Sequence, residues 1–426
     1  MTFIRLLSRI GTSLFFKRVE VEGAVPEQGP LLIVSNHTNG LVDGLVITAA
    51  VRRRVSMTAK STLKKNPLMA FLMWVADAVP LYRRQDAVDM TKNAGSFDEV
   101  RRRLEAGGAI CIFPEGVSHS GASLREFRTG ASRIALDARG IGLKIVPVGL
   151  HYDAKQRFRS AVLVRFGEPL AVDIVAPDLN ALTVQIERRV SALVSQFARI
   201  REWLWLRWVA ELLETRGEDP DPLDLESHPY APRTRVLEEM RNVYEKADRA
   251  RVAELHREVN AYRRDLRRLG ITQHEVFLSM HPLRAFFFVI RELELLIVGS
   301  VIAVAGAIQH GVAFALDSML TKKLSVDLDH WASNAIFYGF AIFPLLWIAG
   351  IFTIWKIVSW QWAVAYLLMI PFTLVYLILW SERVVRAGRR ARTFLIFLVR
   401  RRLHRELQRR GRALITQINA LREDKP

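Results

Sequence analysis

Apolar and polar positions divide the chain into regions of different periodicity. Between residues 18 and about 170, short unbroken apolar runs read as strands: Leu31–Val34, Ala109–Phe113, Ile145–Val148 and Ala161–Phe166. Between them, apolar residues step by three and four around Leu45–Val51, Pro67–Val75, Met90–Leu104 and Thr129–Ala138, which read as helices. That alternation predicts an α/β domain built on a mixed sheet flanked by helices. Helical periodicity continues over 178–213, ending on Trp203, Trp205 and Trp208, so the domain is drawn at 18–213.

Ahead of it, residues 1–17 carry Phe3, Ile4, Leu7, Ile10 and Leu14 at helical spacing, with Arg5, Ser8, Arg9 and Thr12 between them. The pattern predicts an amphipathic helix on a membrane surface, or an ordinary helix packed on the domain. The two arginines and the lack of a small-residue cleavage site argue against a signal peptide.

Residues 214–232 are polar and rich in Pro, as in Glu218-Asp219-Pro220-Asp221-Pro222, and read as a linker. Thr234–Leu269 is densely charged. Val252, Leu255, Val259, Tyr262, Leu266 and Leu269 still step by three and four, predicting a helical hairpin within 214–284.

Two later stretches, Ala335–Trp355 and Trp360–Trp380, hold no charged residue, and each is long enough to span ~30 Å of hydrocarbon. Trp355, Trp360, Trp362 and Trp380 stand at their ends as interfacial aromatics. The joining loop carries Lys356 alone, whereas Lys322 and Lys323 precede the pair and Arg383, Arg386, Arg389 and Arg390 follow it. The positive-inside rule then gives a transmembrane hairpin over 335–380 with both outer ends in the cytoplasm. The apolar stretch 285–316 holds Arg291, Glu292 and Glu294, and its clean core, Leu295–Ile308, is short. As a full span it would put the N-terminal domain and the basic tail on opposite sides, so a re-entrant or interfacial segment is expected there. The tail, 381–426, mixes Phe394–Val399 with Arg400–Arg402 and Arg409–Arg410 and suits anionic headgroups.

Composition sharpens this. The 426 residues carry a formal charge of +18, yet half of them are hydrophobic. No RNA-recognition sequence, zinc finger or Arg/Gly-rich arm is present, so the basicity points to membrane lipids and not to nucleic acid. Cys111 is the only cysteine, which leaves no intrachain disulfide.

The chemistry-bearing segment is Ser35-Asn36-His37-Thr38-Asn39-Gly40-Leu41-Val42-Asp43, directly after a strand. A carboxylate that accepts Nδ1–H fixes the imidazole tautomer and leaves Nε2 as a general base near neutral pH. Positions six apart on one helix diverge by ~120° at ~100° per residue, so a continuous helix would keep the two groups apart. Asn39-Gly40 is turn-prone. His37 is therefore expected on a loop and Asp43 near a helix N-terminus.

Downstream come Lys60, then Arg83-Arg84, then Phe113-Pro114-Glu115-Gly116, then Val146-Pro147-Val148. In this order the motifs resemble the glycerolipid acyltransferase family, which includes lysophosphatidate and glycerol-3-phosphate acyltransferases, over roughly 18–170. Five residues between His and Asp, where most of the family has four, look like the branch with fungal-type dual acyltransferases for glycerol-3-phosphate or dihydroxyacetone phosphate. Tyr262–Ile271 and Phe343-Pro344-Leu345 extend that likeness more weakly.

The resemblance implies the family's α/β fold, followed by a helical linker region and an α-helical membrane region. It also implies acyl transfer from acyl-CoA or acyl carrier protein to a hydroxyl of a glycerol-phosphate-type acceptor, with no cofactor and no metal. His37 would be the base and Asp43 its orienting partner. Arg84 is favoured over Arg83 for the acceptor phosphate, with Lys60 and Arg128 as secondary candidates. Glu115 and Gly116 would belong to the acceptor site, and Val146, Pro147 and Val148 would support the acyl-donor site or simply end a strand. The expected setting is an integral membrane protein with its catalytic domain on the cytoplasmic face.

Three rival readings carry less. Gly116-Val-Ser118-His119-Ser120 lacks the second glycine of a nucleophile elbow. No His-Glu-x-x-His motif supports a metalloenzyme. A non-catalytic scaffold binding anionic lipid, or an acyltransferase for a lyso-lipid without phosphate, remains an alternative.

Overall fold

The computed structural model describes residues 3–65, 70, 73–74, 76–82, 93–172, 178–215, 230–278, 282–325, 327 and 330–423. The chain forms two compact units, Met1–Ile200 with Thr321–Ile336, and Arg201–Leu320 with Phe337–Pro426.

The first unit holds an eight-stranded mixed sheet. Its strands are β1 (Phe16–Glu22), β2 (Leu31–Ser35), β3 (Val55–Lys60), β4 (Val79–Leu81), β5 (Ala109–Ile112), β6 (Lys144–Tyr152), β7 (Ser160–Phe166) and β8 (Leu170–Ala171). The order is β1-β7-β6-β2-β5-β3-β4, with β8 beside β6. β2 lies between β5 and β6 and runs parallel to both, while β6 is antiparallel to β7 and β8. Each of the four apolar runs read as strands is one.

Every residue of β2 is buried, because helices cover both faces. Leu31 and Ile33 pack with Val42, Val46 and Ile47 of α2 (Leu41–Ala50). Leu32 and Val34 face the other way, onto α3 (Asn93–Glu105), α4 (Gly130–Asp137) and α5 (Leu179–Ser191). Each fully buried Leu or Ile side chain contributes about 1.5–3 kcal/mol, and a one-residue slip would turn all of them to the wrong face. Register at β2 is therefore firmly set, and with it the point where the chain leaves the sheet toward His37.

The helix expected over residues 1–17 is α1, Phe3–Phe15. It buries Ser8 and Thr12 and turns Leu6 and Ile10 outward, each 43% exposed. The Thr12 hydroxyl is satisfied by the Ser8 carbonyl at 2.7 Å, which lets the small polar face pack on protein.

The segment Thr321–Ile336 belongs to this unit although it is distant in sequence. Ala332, Ala335 and Ile336 join the same apolar cluster as Val42 and Val46.

The rest of the described chain is helical: α6 (Ile200–Glu214), α7 (Tyr230–Lys246), α8 (Arg249–Leu269), α9 (Gln273–Val276), α10 (Pro282–Leu324), α11 (Trp331–Ile357), α12 (Trp360–Val399) and α13 (Arg401–Glu423). The end of α10 and the start of α11, within Thr321–Ile336, belong to the first unit and the remainder, from Arg201, to the second. The densely charged stretch forms α7 and α8, and α8 buries Leu255, Val259, Tyr262 and Leu266. Most of the Pro-rich linker, 216–229, lies outside the described residues. Three helices are long and apolar enough to cross a membrane: Ile290–Leu324, Trp331–Ile357 and Trp360–Val399.

Residues 285–316, expected as a re-entrant or interfacial segment, fall within the single helix α10. Glu292, which reads as an interruption, is paired with Arg291 and Arg383 at 2.9 Å each. Further along, Trp347 donates to His310 Nδ1 (3.0 Å), His310 Nε2 meets the Thr373 hydroxyl (2.9 Å), and that hydroxyl donates to Gln309 (2.6 Å). Glu292 opposite Arg383 and His310 opposite Thr373 make α10 and α12 antiparallel neighbours. α12 also runs through the boundary drawn at 380 and ends only at Val399.

Candidate active site

β2 and β5 are parallel neighbours, so their carboxyl ends deliver two loops to one sheet edge. The first carries His37 and the second carries Glu115. Asn36 anchors the first by exchanging two hydrogen bonds with Leu150 of β6, 3.1 Å from its amide nitrogen and 2.8 Å to its oxygen.

His37 then lies on a loop, and Gly40 caps α2 at φ 52°, a left-handed conformation that suits glycine. Asp43 falls in the first turn of α2. The Asn39-Gly40 turn thus takes up the extra residue of the spacing. It brings His37 Nδ1 within 2.9 Å of Asp43 Oδ2.

Asp43 is fully buried and heavily engaged. Oδ2 also accepts the amides of Thr38 (2.7 Å) and Asn39 (2.8 Å), while Oδ1 accepts the Tyr152 hydroxyl at 2.6 Å. Burial, reinforced by the charge of Asp43, pushes the Tyr152 phenol well up, so it stays protonated as a donor. A carboxylate surrounded by donors is an acceptor only, so Nδ1 carries the proton and Nε2 is the nitrogen able to receive one. The imidazole stacks on Phe113 at 4.3 Å between centroids and keeps its side chain 19% exposed.

Glu115 is buried and braces the loops together. Oε1 accepts the His37 amide at 2.6 Å, and Oε2 meets His119 Nε2 at 2.5 Å and the Arg125 amide at 2.9 Å. The His119 amide returns a bond to the His37 carbonyl at 3.1 Å. Lys155 donates to the Thr38 carbonyl at 2.7 Å. Gly116 has φ 74°, and a Cβ there would come within 3.0–3.2 Å of the Arg128 side chain. Arg125 and Arg128 line an open depression of about 580 Å³ beside Glu115.

Among the sequence candidates, His37, Asp43, Glu115, Gly116 and Arg128 therefore gather at one edge of the sheet. Lys60 ends β3, which runs parallel to β5 toward that edge, and is exposed. Arg83 and Arg84 lie outside the described residues. Val146 and Val148 are buried in β6. Pro147 stands where the antiparallel partner of β6 changes from β8 to β7, so its missing N–H breaks no ladder bond there. Tyr152, His119, Arg125 and Lys155 were not singled out from sequence, since no local motif marks them. Cys111 is buried in β5, and burial pushes its thiol up, which makes it inert. No cluster able to hold a metal ion occurs among the described residues.

Known proteins share this region. Residues 18–151 match the sequence model of the Acyltransferase family. The lyso-ornithine lipid O-acyltransferase of Brucella abortus is 29% identical over 227 residues, which is 46% of this chain and 82% of that protein. The glycerol-3-phosphate O-acyltransferase 1 of Saccharomyces cerevisiae is 23% identical over 365 residues, 62% of this chain and 47% of that protein. The crystal structure of the 1-acyl-sn-glycerophosphate acyltransferase from Thermotoga maritima is 25% identical and covers 44% of this chain and 76% of that one. The TM-score of that match is 0.36. Most of the curated relatives compared are covered over less than two thirds of their own length, from 11% to 64%. Residues 18–151 are thus similar to the Acyltransferase family, and several of the relatives carry the names of glycerol-3-phosphate and 1-acyl-sn-glycerol-3-phosphate acyltransferases.

Proposed function

We propose that the protein is a membrane-bound O-acyltransferase of phospholipid biosynthesis that uses His37 as general base. The acceptor hydroxyl gives its proton to His37 Nε2 as its oxygen bonds to the thioester carbonyl carbon of acyl-CoA or acyl carrier protein. Asp43 holds the imidazolium that results. The tetrahedral adduct then collapses, the C–S bond breaks, and the departing thiolate takes the proton back from Nε2. Ester and free thiol are the products, and no covalent enzyme intermediate is needed.

The observation that carries this reading is the buried Asp43 carboxylate on His37 Nδ1 at 2.9 Å, in a side chain still open to solvent. A glycerol-phosphate-type acceptor, such as glycerol-3-phosphate, dihydroxyacetone phosphate or lysophosphatidate, suits the exposed guanidinium groups of Arg125 and Arg128. The names of the yeast and several bacterial relatives point the same way. The Brucella relative, matched over 82% of its length, supports a second reading in which the acceptor is a lyso-lipid without phosphate. The arginines after Trp380 support a cytoplasmic tail, a catalytic domain on that same face is part of the proposal, and the outward Leu6 and Ile10 of α1 suit a bilayer surface.

The test is transfer from labelled acyl-CoA, and separately acyl carrier protein, to each acceptor by the purified full chain. His37→Ala should lower the rate by about 10²–10⁴-fold with membrane association intact. A variant with wild-type turnover would refute the base assignment. The acceptor giving the highest kcat/KM decides between the two readings.

A further inference from the structure

α2 begins without a cap of its own. Gly40 offers no side chain, and the first-turn amides of a helix have no partner inside it. A distant residue serves one of them. The Ser333 hydroxyl lies 3.4 Å from the Val42 amide and donates to the Asn39 carbonyl at 3.1 Å, across 291 and 294 residues of sequence. Val42 N–H also reaches the Asn39 carbonyl at 3.1 Å, so the three groups close a small ring at the mouth of the helix.

Ser333 is 5% exposed, on a face of α11 otherwise built from Ala332, Ala335 and Ile336. Apolar packing alone would hold that face. Burying a hydroxyl costs free energy unless it is bonded, and among the described residues this one is bonded to the turn between His37 and Asp43. The turn is clamped from both sides as a result. The Asn39 amide is held by Asp43 Oδ2 at 2.8 Å and the Asn39 carbonyl by Ser333. These groups belong to the two peptide planes flanking one Cα, so together they fix the backbone where the long His–Asp spacing bends.

We propose that Ser333 is a positioning residue for the His37–Asp43 pair, supplied by the helix that continues as a membrane-length segment to Ile357. This rests on the acyltransferase reading above. Ser333 touches neither substrate nor His37. It sets the direction of the carboxylate that orients the base.

The experiment compares wild type, Ser333→Ala, Ser333→Thr and Ala335→Gly as full chains in detergent. Ser333→Ala should lower kcat about tenfold, since displacements near 1 Å at a reacting pair cost up to ~10²-fold, with KM for donor and acceptor within twofold. Ser333→Thr, which keeps the hydroxyl, should restore most of kcat. Ala335→Gly loosens the same packing and should lower thermal stability while kcat stays within twofold. Unchanged kcat in Ser333→Ala, no rescue by Thr, or an equal kcat loss in Ala335→Gly would each overturn the proposal.

A readout that needs no turnover separates this from the activity itself. The low-field proton resonance of His37 Nδ1–H, assigned by its loss in His37→Ala, should shift or broaden in Ser333→Ala. An identical resonance refutes Ser333 as a positioning residue, whether or not the protein transfers acyl groups. Absence of turnover in wild type refutes the acyltransferase reading alone.

Discussion

At the scale of single residues, Asp43 does most to define the site, because four donors converge on its two oxygens. Tyr152 alone holds Oδ1. Tyr152→Phe removes that donor without changing shape, so the carboxylate can rotate away from His37. We expect kcat to fall about 5- to 20-fold and stability to drop by about 1–3 kcal/mol, the cost of a buried charged acceptor losing its partner. Steady-state kinetics with thermal unfolding of the same sample would check both, and a fully active variant would remove Tyr152 from the site. His37 and Asp43 were legible in the sequence because their chemistry is packed into nine residues after an apolar run. Tyr152, Asn36 and Ser333 make contacts across 109, 114 and 294 residues, and no local pattern encodes a partner at that distance.

At the scale of elements, period-two and period-three-to-four patterning found the strands and helices well, because burial on both sheet faces leaves strong apolar runs. Two elements hold what patterning does not show. In α1 the residues buried on the protein include Ser8 and Thr12, and the Thr12 hydroxyl is satisfied within the helix. In α10 the charge of Glu292 suggests a broken span, and its neutraliser Arg383 lies 91 residues away.

The helical unit should also carry a pH dependence. His404 stacks on Phe397 and donates to the Val276 carbonyl, and His256 stacks on Trp205. Burial lowers both below the ordinary value of 6.5. Between 6.5 and the lower folded value, the unfolded chain binds more protons than the folded one, so stability rises with pH and is lost as pH falls below about 6.5. Melting temperature measured from pH 7.5 down to 5 should fall, and more shallowly in a His256→Phe/His404→Gln variant. A flat profile in wild type would contradict the burial argument.

At the scale of the whole molecule, the antiparallel pairing of α10 and α12 bears on sidedness. Glu292 meets Arg383, so the chain before the first and the chain after the second depart from the same end of that helix pair. Cysteine-scanning labels placed before Arg291 and after Arg386 should therefore react from one side of sealed vesicles, the cytoplasmic one by the positive-inside rule. Reaction from opposite sides would mean that the pair does not sit in the bilayer as a hairpin. Charge counting along the sequence predicts a side for the tail but could not see which helices are neighbours.

The bond between Ser333 and Asn39 also sets a clock on biosynthesis. A ribosome adding about 5–20 residues per second takes roughly 15 s to 1 min to travel the 294 residues between them. Through that interval the sheet can form from local runs, but the turn joining base and carboxylate still waits for its hydroxyl. A nascent chain paused before Ser333 would expose a catalytic domain with an unfinished centre, and full activity would come only after the first membrane-length helix has been made.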